Sequence, residues 1–271
     1  MASFNPLTEL PDKVDELMHS LLPLDVFGTA HDPKIMPADI KLSTHVIGWF
    51  IAVVVFLVVM FAWKKRYSVI PRGKFVNMID FVWEFIRVNV VEGIIGHDAR
   101  VHLPFISTIF FFLLVNNLLG LIPGAKPGTG VISGTFAASV SVFIYFNYAG
   151  IKAKGGWKYI KGIVPHGVPA FIAPVIFVIE IASMCLRPVT QALRLFANIY
   201  AGHIILGIFA ILTEIFAVGI THGAYVWGLT TPLWFALLFA LYILELMVAF
   251  VQAYVFTMLT AVYVDSATSS H

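Results

Sequence analysis

The sequence predicts an all-α membrane protein with about five transmembrane helices and one membrane-surface amphipathic helix. Hydrophobic residues make up 59% of the chain and charged residues only 12%, a balance typical of proteins whose main solvent is lipid. Several uncharged runs approach the roughly 20 residues that a spanning helix needs. We expect one membrane domain over residues 1–271, without internal repeats or a linker between domains.

The first half of the chain divides into an N-terminal segment, three spans and a surface helix. Residues 1–44 are polar and acidic and lack the basic start of a signal peptide. Spans are predicted over 45–63, 103–122 and 131–151, each with a long stretch free of charge. Between the first two, residues 74–96 carry polar side chains at helical spacing on a broadly apolar background, which predicts an amphipathic helix on the membrane surface.

The C-terminal part contains two longer apolar segments, 168–217 and 232–264. As one helix, 168–217 would be about 75 Å long, against a hydrocarbon core of about 30 Å. It therefore either breaks into two spans near Pro188 or forms one strongly tilted helix. The loop between the segments contains no Lys or Arg, so charge bias does not distinguish five crossings from six.

Basic residues predict the orientation of the chain. They cluster between spans one and two and again after span three, and short loops rich in Lys and Arg are usually cytoplasmic. The acidic N-terminal segment is then external. The formal net charge of +2 gives no electrostatic reason to expect nucleic-acid binding. The single cysteine, Cys185, excludes an intrachain disulfide and is interpreted as a packing residue.

Polar residues recur along one face of the 168–217 segment. They are spaced by three, four or seven residues, so they share a helical stripe: Glu180, Arg187, Gln191, Arg194 and Asn198. His203 lies near the end of this stripe, and Glu245 and Gln252 share a face of the last segment. An arginine in mid-helix costs roughly 2.5–3.5 kcal/mol on insertion scales, so Arg194 is the strongest functional candidate.

A structural alternative exists for each of the other polar residues. Glu180, His203 and Glu245 can change protonation, yet each could also form one satisfied bond between helices. Arg187 could snorkel to the interface. Asn198 and Gln252 could hydrogen-bond between helices without chemistry, and Asn116 and Asn117 are interpreted as helix-bridging residues. No phosphate loop, nucleophile elbow or spaced metal cluster is present in the sequence, so neither a cofactor nor a metal is expected.

Three stretches resemble subunit a of the F-type ATP synthase, bacterial type. They are Pro188-Val-Thr-Gln-Ala-Leu-Arg194-Leu-Phe-Ala-Asn198-Ile-Tyr-Ala-Gly202, Asn117-Leu-Leu-Gly-Leu-Ile-Pro123 and Gln252-Ala-Tyr-Val-Phe256. The resemblance implies a non-catalytic stator subunit, without a cofactor, in the bacterial plasma (inner) membrane. Its partners would be membrane lipid, the c-ring and the peripheral-stalk subunit b in a hetero-oligomeric complex. It also favours five crossings, a long tilted C-terminal hairpin, an external N-terminus and a cytoplasmic C-terminus.

The resemblance also implies roles for the site residues. Arg194 would separate two proton half-channels, with His203, Glu245, Asn198 and Gln252 on the outer path and Glu180, together with Ser183, on the inner one. Some bacterial members carry Glu where this chain has His203 and His where it has Glu245. The exchange keeps one acid and one imidazole, which suggests a working pair. The alternatives are a stand-alone ion-coupled secondary transporter, which usually shows paired halves, and a structural scaffold, which leaves Arg194 unexplained.

Overall fold

The fold is all-helical in the part of the chain that the computed structural model describes, residues 10–16, 44–66, 73–122, 128–162, 171–221 and 228–269. Five helices in these ranges are long and apolar enough to cross a membrane, which confirms the predicted fold class. The named helices are α1 (Thr44–Arg66), α2 (Lys74–Ile86), α3 (Ala99–Gly120), α4 (Ile132–Lys154), α5 (Gly156–Lys161), α6 (Ala173–Thr221) and α7 (Thr231–Thr268).

The segment expected to form one regular surface helix over 74–96 changes its helical type. After α2 the chain forms a π-helical stretch, Arg87–Glu92, then a short α-helical turn and a 3₁₀ turn before α3. Arg87 Nε donates a 2.9 Å hydrogen bond to Glu92 Oε1. This bond, together with the charges of Glu84 and Glu92, raises the pKa of Arg87. Val90 and Val91 lie within the π-helical stretch and are fully buried.

Helix α2 is attached to α1 by an aromatic and polar contact. Trp63 Nε1 donates a 2.7 Å hydrogen bond to Asp80 Oδ1, and the Trp63 and Trp83 rings lie 5.6 Å apart. The opposite side of α2 leaves Met78 and Phe81 largely exposed. An indole whose N–H needs a partner and whose ring prefers apolar contact suits the membrane interface.

The core forms where α3, α4, α6 and α7 pack together. Each helix contributes a side chain that is almost fully buried: Phe110, Phe146, Leu195 and Phe256. Helix α1 packs on α3 and leaves most of its other apolar side chains exposed. The association of these helices depends on close packing rather than on expulsion of water, because lipid is as apolar as the side chains.

Helix α6 is continuous over its 49 residues, although Pro188 lies within it. Proline removes one backbone hydrogen bond. Ending the helix in the hydrocarbon core would instead leave up to four C=O groups unsatisfied at the new C-terminal end and up to four N–H groups at the new N-terminal end. Continuation is therefore the less costly solution, and it removes the alternative of a break near Pro188. At about 1.5 Å per residue α6 is about 74 Å long, more than twice the thickness of a hydrocarbon core of about 30 Å.

Helix α7 begins at Thr231, runs for 38 residues and has Pro232 in its first turn. Proline suits this position because the first N–H groups of a helix have no intrahelical partner. Helices α6 and α7, the last two of the named helices, pack against each other. They form the long hairpin on which the candidate site residues lie.

Candidate proton-translocation site

The polar stripe of α6 contains one residue that faces its helical neighbours and one that faces away from the bundle. Gln191 is buried, and its Nε2 donates a 3.4 Å hydrogen bond to the Phe256 carbonyl of α7. Arg194 is exposed and has no hydrogen bond or ion pair to any residue that the structure describes. The next residue, Leu195, is fully buried. Because Gln191 and Leu195 are buried in the bundle, the rotation of α6 about its axis leaves Arg194 on the outer surface.

A small cavity lies between α3, α6 and α7, on the C-terminal side of Arg194 along α6. It has a volume of about 20 Å³. About 10–15 Å³ of such space is enough for one water molecule, provided that polar groups surround it. Four of the lining side chains are polar: Asn117, Asn198, His203 and Glu245.

Three of the predicted site residues therefore meet in one place. Asn198 and His203 come from α6, and Glu245 comes from the facing turn of α7. No hydrogen bond or ion pair joins His203 to Glu245 among the described residues. The cavity between them suits a bridging water, which is energetically close to a direct hydrogen bond.

Gly202 allows the Glu245 side chain to approach α6 closely. Gly202 is buried, and a Cβ at this position would overlap the Glu245 carboxylate, including Oε1. Only a residue without a side chain leaves this space open. The carboxylate of Glu245 thus packs directly on the α6 backbone, one residue from His203.

Asn117 was interpreted from the sequence as a helix-bridging residue. In the structure it bridges two helices and also lines the cavity. Its Nδ2 donates a 3.2 Å hydrogen bond to the Ala249 carbonyl of α7. Its Oδ1 is buried without a partner among the described residues, and the side chain lines the cavity. An unpaired buried carbonyl is costly unless a water or ion completes it. The sequence feature that could have indicated this role is a polar Asn within an otherwise apolar, uncharged span.

Gln252 lies seven residues after Glu245 on α7 and does not line the cavity. The side chain is buried, and its Nε2 has no hydrogen-bond partner in the described ranges. This unsatisfied donor lies on the same helical face as Glu245. Gln252 therefore extends the polar face of α7 beyond the cavity.

Glu180 lies on the opposite side of Arg194, 14 residues earlier on α6, which corresponds to about 21 Å of helix. It is half-buried and has no hydrogen bond or ion pair to the residues that are described. Ser183 and Thr190 line a groove of about 450 Å³ on this part of α6. The structure thus separates Glu180 from the cavity at His203 and Glu245.

Arg187 makes a contact that the sequence did not predict. Its guanidinium carbon lies 5.0 Å from the centre of the Tyr263 ring on α7, a cation–π distance. Within the described residues, no group of three or more His, Cys, Asp or Glu side chains could hold a metal ion. Among the described residues, the predicted site residues are separate titratable and amide side chains, and Arg194 has no ion-pair partner there.

Comparisons with known proteins agree on one family. The family model of the ATP synthase A chain matches residues 45–265. ATP synthase subunit a of Chloroherpeton thalassium is 33% identical, over 95% of this chain and 77% of the relative. The subunit a of Bradyrhizobium diazoefficiens is 39% identical over 72% of this chain and 76% of the relative. A Wolbachia subunit a is 31% identical over 89% and 95%, respectively. The family model and these relatives show that the chain belongs to the ATP synthase subunit a family.

Proposed function

We propose that this chain is the proton-translocating stator subunit of an ATP synthase membrane sector. It forms two half-channels beside a rotating c-ring whose subunits carry a carboxylate in mid-membrane. The chain itself performs no bond chemistry, and it couples proton flow to ATP synthesis by the rest of the complex. Its further partners are the peripheral-stalk subunit b and lipid of a bacterial plasma membrane.

The unpaired, outward-facing Arg194 is the observation that carries this proposal. A guanidinium in lipid costs roughly 2.5–3.5 kcal/mol on insertion scales. A carboxylate about 4 Å away would contribute about 4 kcal/mol at an effective dielectric constant of 20, enough to offset that cost. The described part of the chain offers Arg194 no carboxylate. Its partner therefore belongs to an adjacent subunit.

The positions of the titratable residues support the proposal of two half-channels. With the N-terminus external and the C-terminus cytoplasmic, the cavity at Asn198, His203 and Glu245 opens the outer path, and Gln252 extends it. Glu180, with Ser183, lies on the inner path. Because the fixed charge of Arg194 lies between these two groups along α6, a proton must ride on the ring to pass from one path to the other.

Arg194 lies where a ring carboxylate changes paths. Its charge favours the ionised form of that carboxylate, so it promotes proton release to the inner path and blocks return without rotation. Arginine suits this role because it keeps its charge in a low-dielectric site, whereas lysine loses its proton when buried. Each elementary charge that crosses the membrane contributes roughly 2.3 kcal/mol per 100 mV. The synthesis of one ATP therefore requires the passage of several protons.

Replacement of Arg194 tests the proposal. Arg194→Ala in the whole complex should abolish proton-driven ATP synthesis in inverted membrane vesicles, while ATP hydrolysis by the soluble sector remains. Arg187→Ala is the matched control, since it removes a guanidinium from the same helical stripe. Coupled synthesis by the Arg194→Ala complex would refute the assignment. Solute transport by the purified chain alone in liposomes would favour a stand-alone secondary transporter.

A further inference from the structure

Two arginines on the polar stripe of α6 have different surroundings. Arg187 and Arg194 are seven residues apart, which places them two turns, or about 10.5 Å, along the same side of the helix. A moving carboxylate attracted to both would have two stopping places. If the proposed function holds, a ring carboxylate should pair with one arginine only. The second guanidinium must then be held out of reach of the ring carboxylates.

The structure offers a group that holds Arg187. Its guanidinium lies 5.0 Å from the Tyr263 ring centre, and Arg187 is half-buried whereas Arg194 is exposed. Arg187 has no ion pair to a described carboxylate. The aromatic face is therefore the partner that the structure gives this charge, and cation–π attraction is stronger when both groups are desolvated.

The Tyr263 ring is itself fixed in place. It lies 5.8 Å from the ring of Phe146, which is almost fully buried in the core. Tyr159 belongs to the core cluster against which Tyr263 packs, and its hydroxyl donates a 3.0 Å hydrogen bond to Asn147 Oδ1. Burial raises the pKa of Tyr159, and the charge of Arg187 offsets part of that rise, so the guanidinium lies within electrostatic reach of this cluster.

There is also open space beside Arg187 on α6. Arg187 lines the groove of about 450 Å³ together with Ser183 and Thr190. Arginine has a long, flexible side chain with about 2 kcal/mol of rotamer entropy. Without the stack on Tyr263, the guanidinium could extend into this groove, along the same helical side as Arg194.

We propose that Tyr263 is a positioning residue that holds Arg187 against α7, so that a ring carboxylate meets Arg194 and not a second arginine. The hydroxyl of Tyr263 is not required for this role, because the ring face makes the contact. Loss of the ring should release Arg187 and slow ring passage. Removing the released charge should then restore passage.

Four variants of the whole complex test this proposal in membrane vesicles. The comparison is proton-driven ATP synthesis by Tyr263→Phe, Tyr263→Leu, Arg187→Gln and the double variant Tyr263→Leu with Arg187→Gln. An exposed cation–π contact corresponds to roughly a two- to fivefold change in population. Tyr263→Leu should slow synthesis by at least that factor, Tyr263→Phe should stay near the unmodified rate, and the double variant should return to the rate of Arg187→Gln.

The double variant separates a positioning role from simple packing. If Tyr263 only fills space between α7 and α4, removal of the Arg187 charge cannot help, and the double variant will be as slow as Tyr263→Leu or slower. That result, or an unchanged rate for Tyr263→Leu, overturns the proposal. Should Tyr263→Leu fail to assemble, Tyr263→Met keeps the side-chain length without a ring face and takes its place. The Arg194→Ala result is independent of all four variants, so failure here leaves the proposed function standing.

Discussion

Gly202 gives the most quantitative prediction for the outer path. Its added methyl group in Gly202→Ala would overlap the Glu245 carboxylate, so the carboxylate must move out of its place beside His203. Overpacking of this kind typically costs about 1–3 kcal/mol. If that cost falls on the proton-accepting arrangement, the rate of proton entry falls roughly 5- to 150-fold. Assembly should survive, because the strained atoms are at the end of a side chain.

Proton-driven ATP synthesis in vesicles, measured against the amount of assembled complex, is the assay. Gly156→Ala is the matched control, since a methyl group there meets no atom within 4 Å. Adding Glu245→Asp to Gly202→Ala withdraws the carboxylate by one methylene and should recover part of the rate. A Gly202→Ala complex with an unchanged rate, or one that Glu245→Asp impairs further, would refute the close packing of the carboxylate on α6.

Two further predictions concern the paths on either side of Arg194. The double exchange His203→Glu with Glu245→His should recover more proton-driven synthesis than either single change, because the cavity again holds one acid and one imidazole; strictly additive losses would show that the two side chains act separately. Glu180→Gln should slow passive proton conduction after removal of the soluble sector, with normal assembly, since it removes one titratable group from the inner path. Unchanged conduction would exclude Glu180 from that path.

The polar stripe shows what sequence reasoning could reach. Helical periodicity and the cost of a charge in lipid were enough to single out Arg194 and to place Asn198 on its face. The same periodicity could not tell which side of α6 turns away from the bundle. That depends on the burial of Leu195 and Gln191 in the bundle, which is a property of tertiary packing.

Residues far apart in sequence account for most of what the sequence did not predict. The meeting of Asn117 with His203 and Glu245 requires the crossing of three helices, and the stack of Arg187 on Tyr263 requires the register of α6 against α7. The π-helical stretch Arg87–Glu92 has no distinct sequence signature. By contrast, the uninterrupted helix through Pro188 follows from the cost of unsatisfied backbone groups in lipid.

The central claim is that Arg194 faces a separate, moving subunit, and cysteine cross-linking tests it most directly. Leu193 is 47% exposed and Leu195 is 0% exposed, so Leu193→Cys and Leu195→Cys form a matched pair beside Arg194. Each is combined with Cys185→Ser, which removes the natural thiol, and with a cysteine one turn from the ring carboxylate. The account predicts an oxidative cross-link to the ring from position 193 and none from position 195. No cross-link from 193, or an equal one from 195, would contradict it.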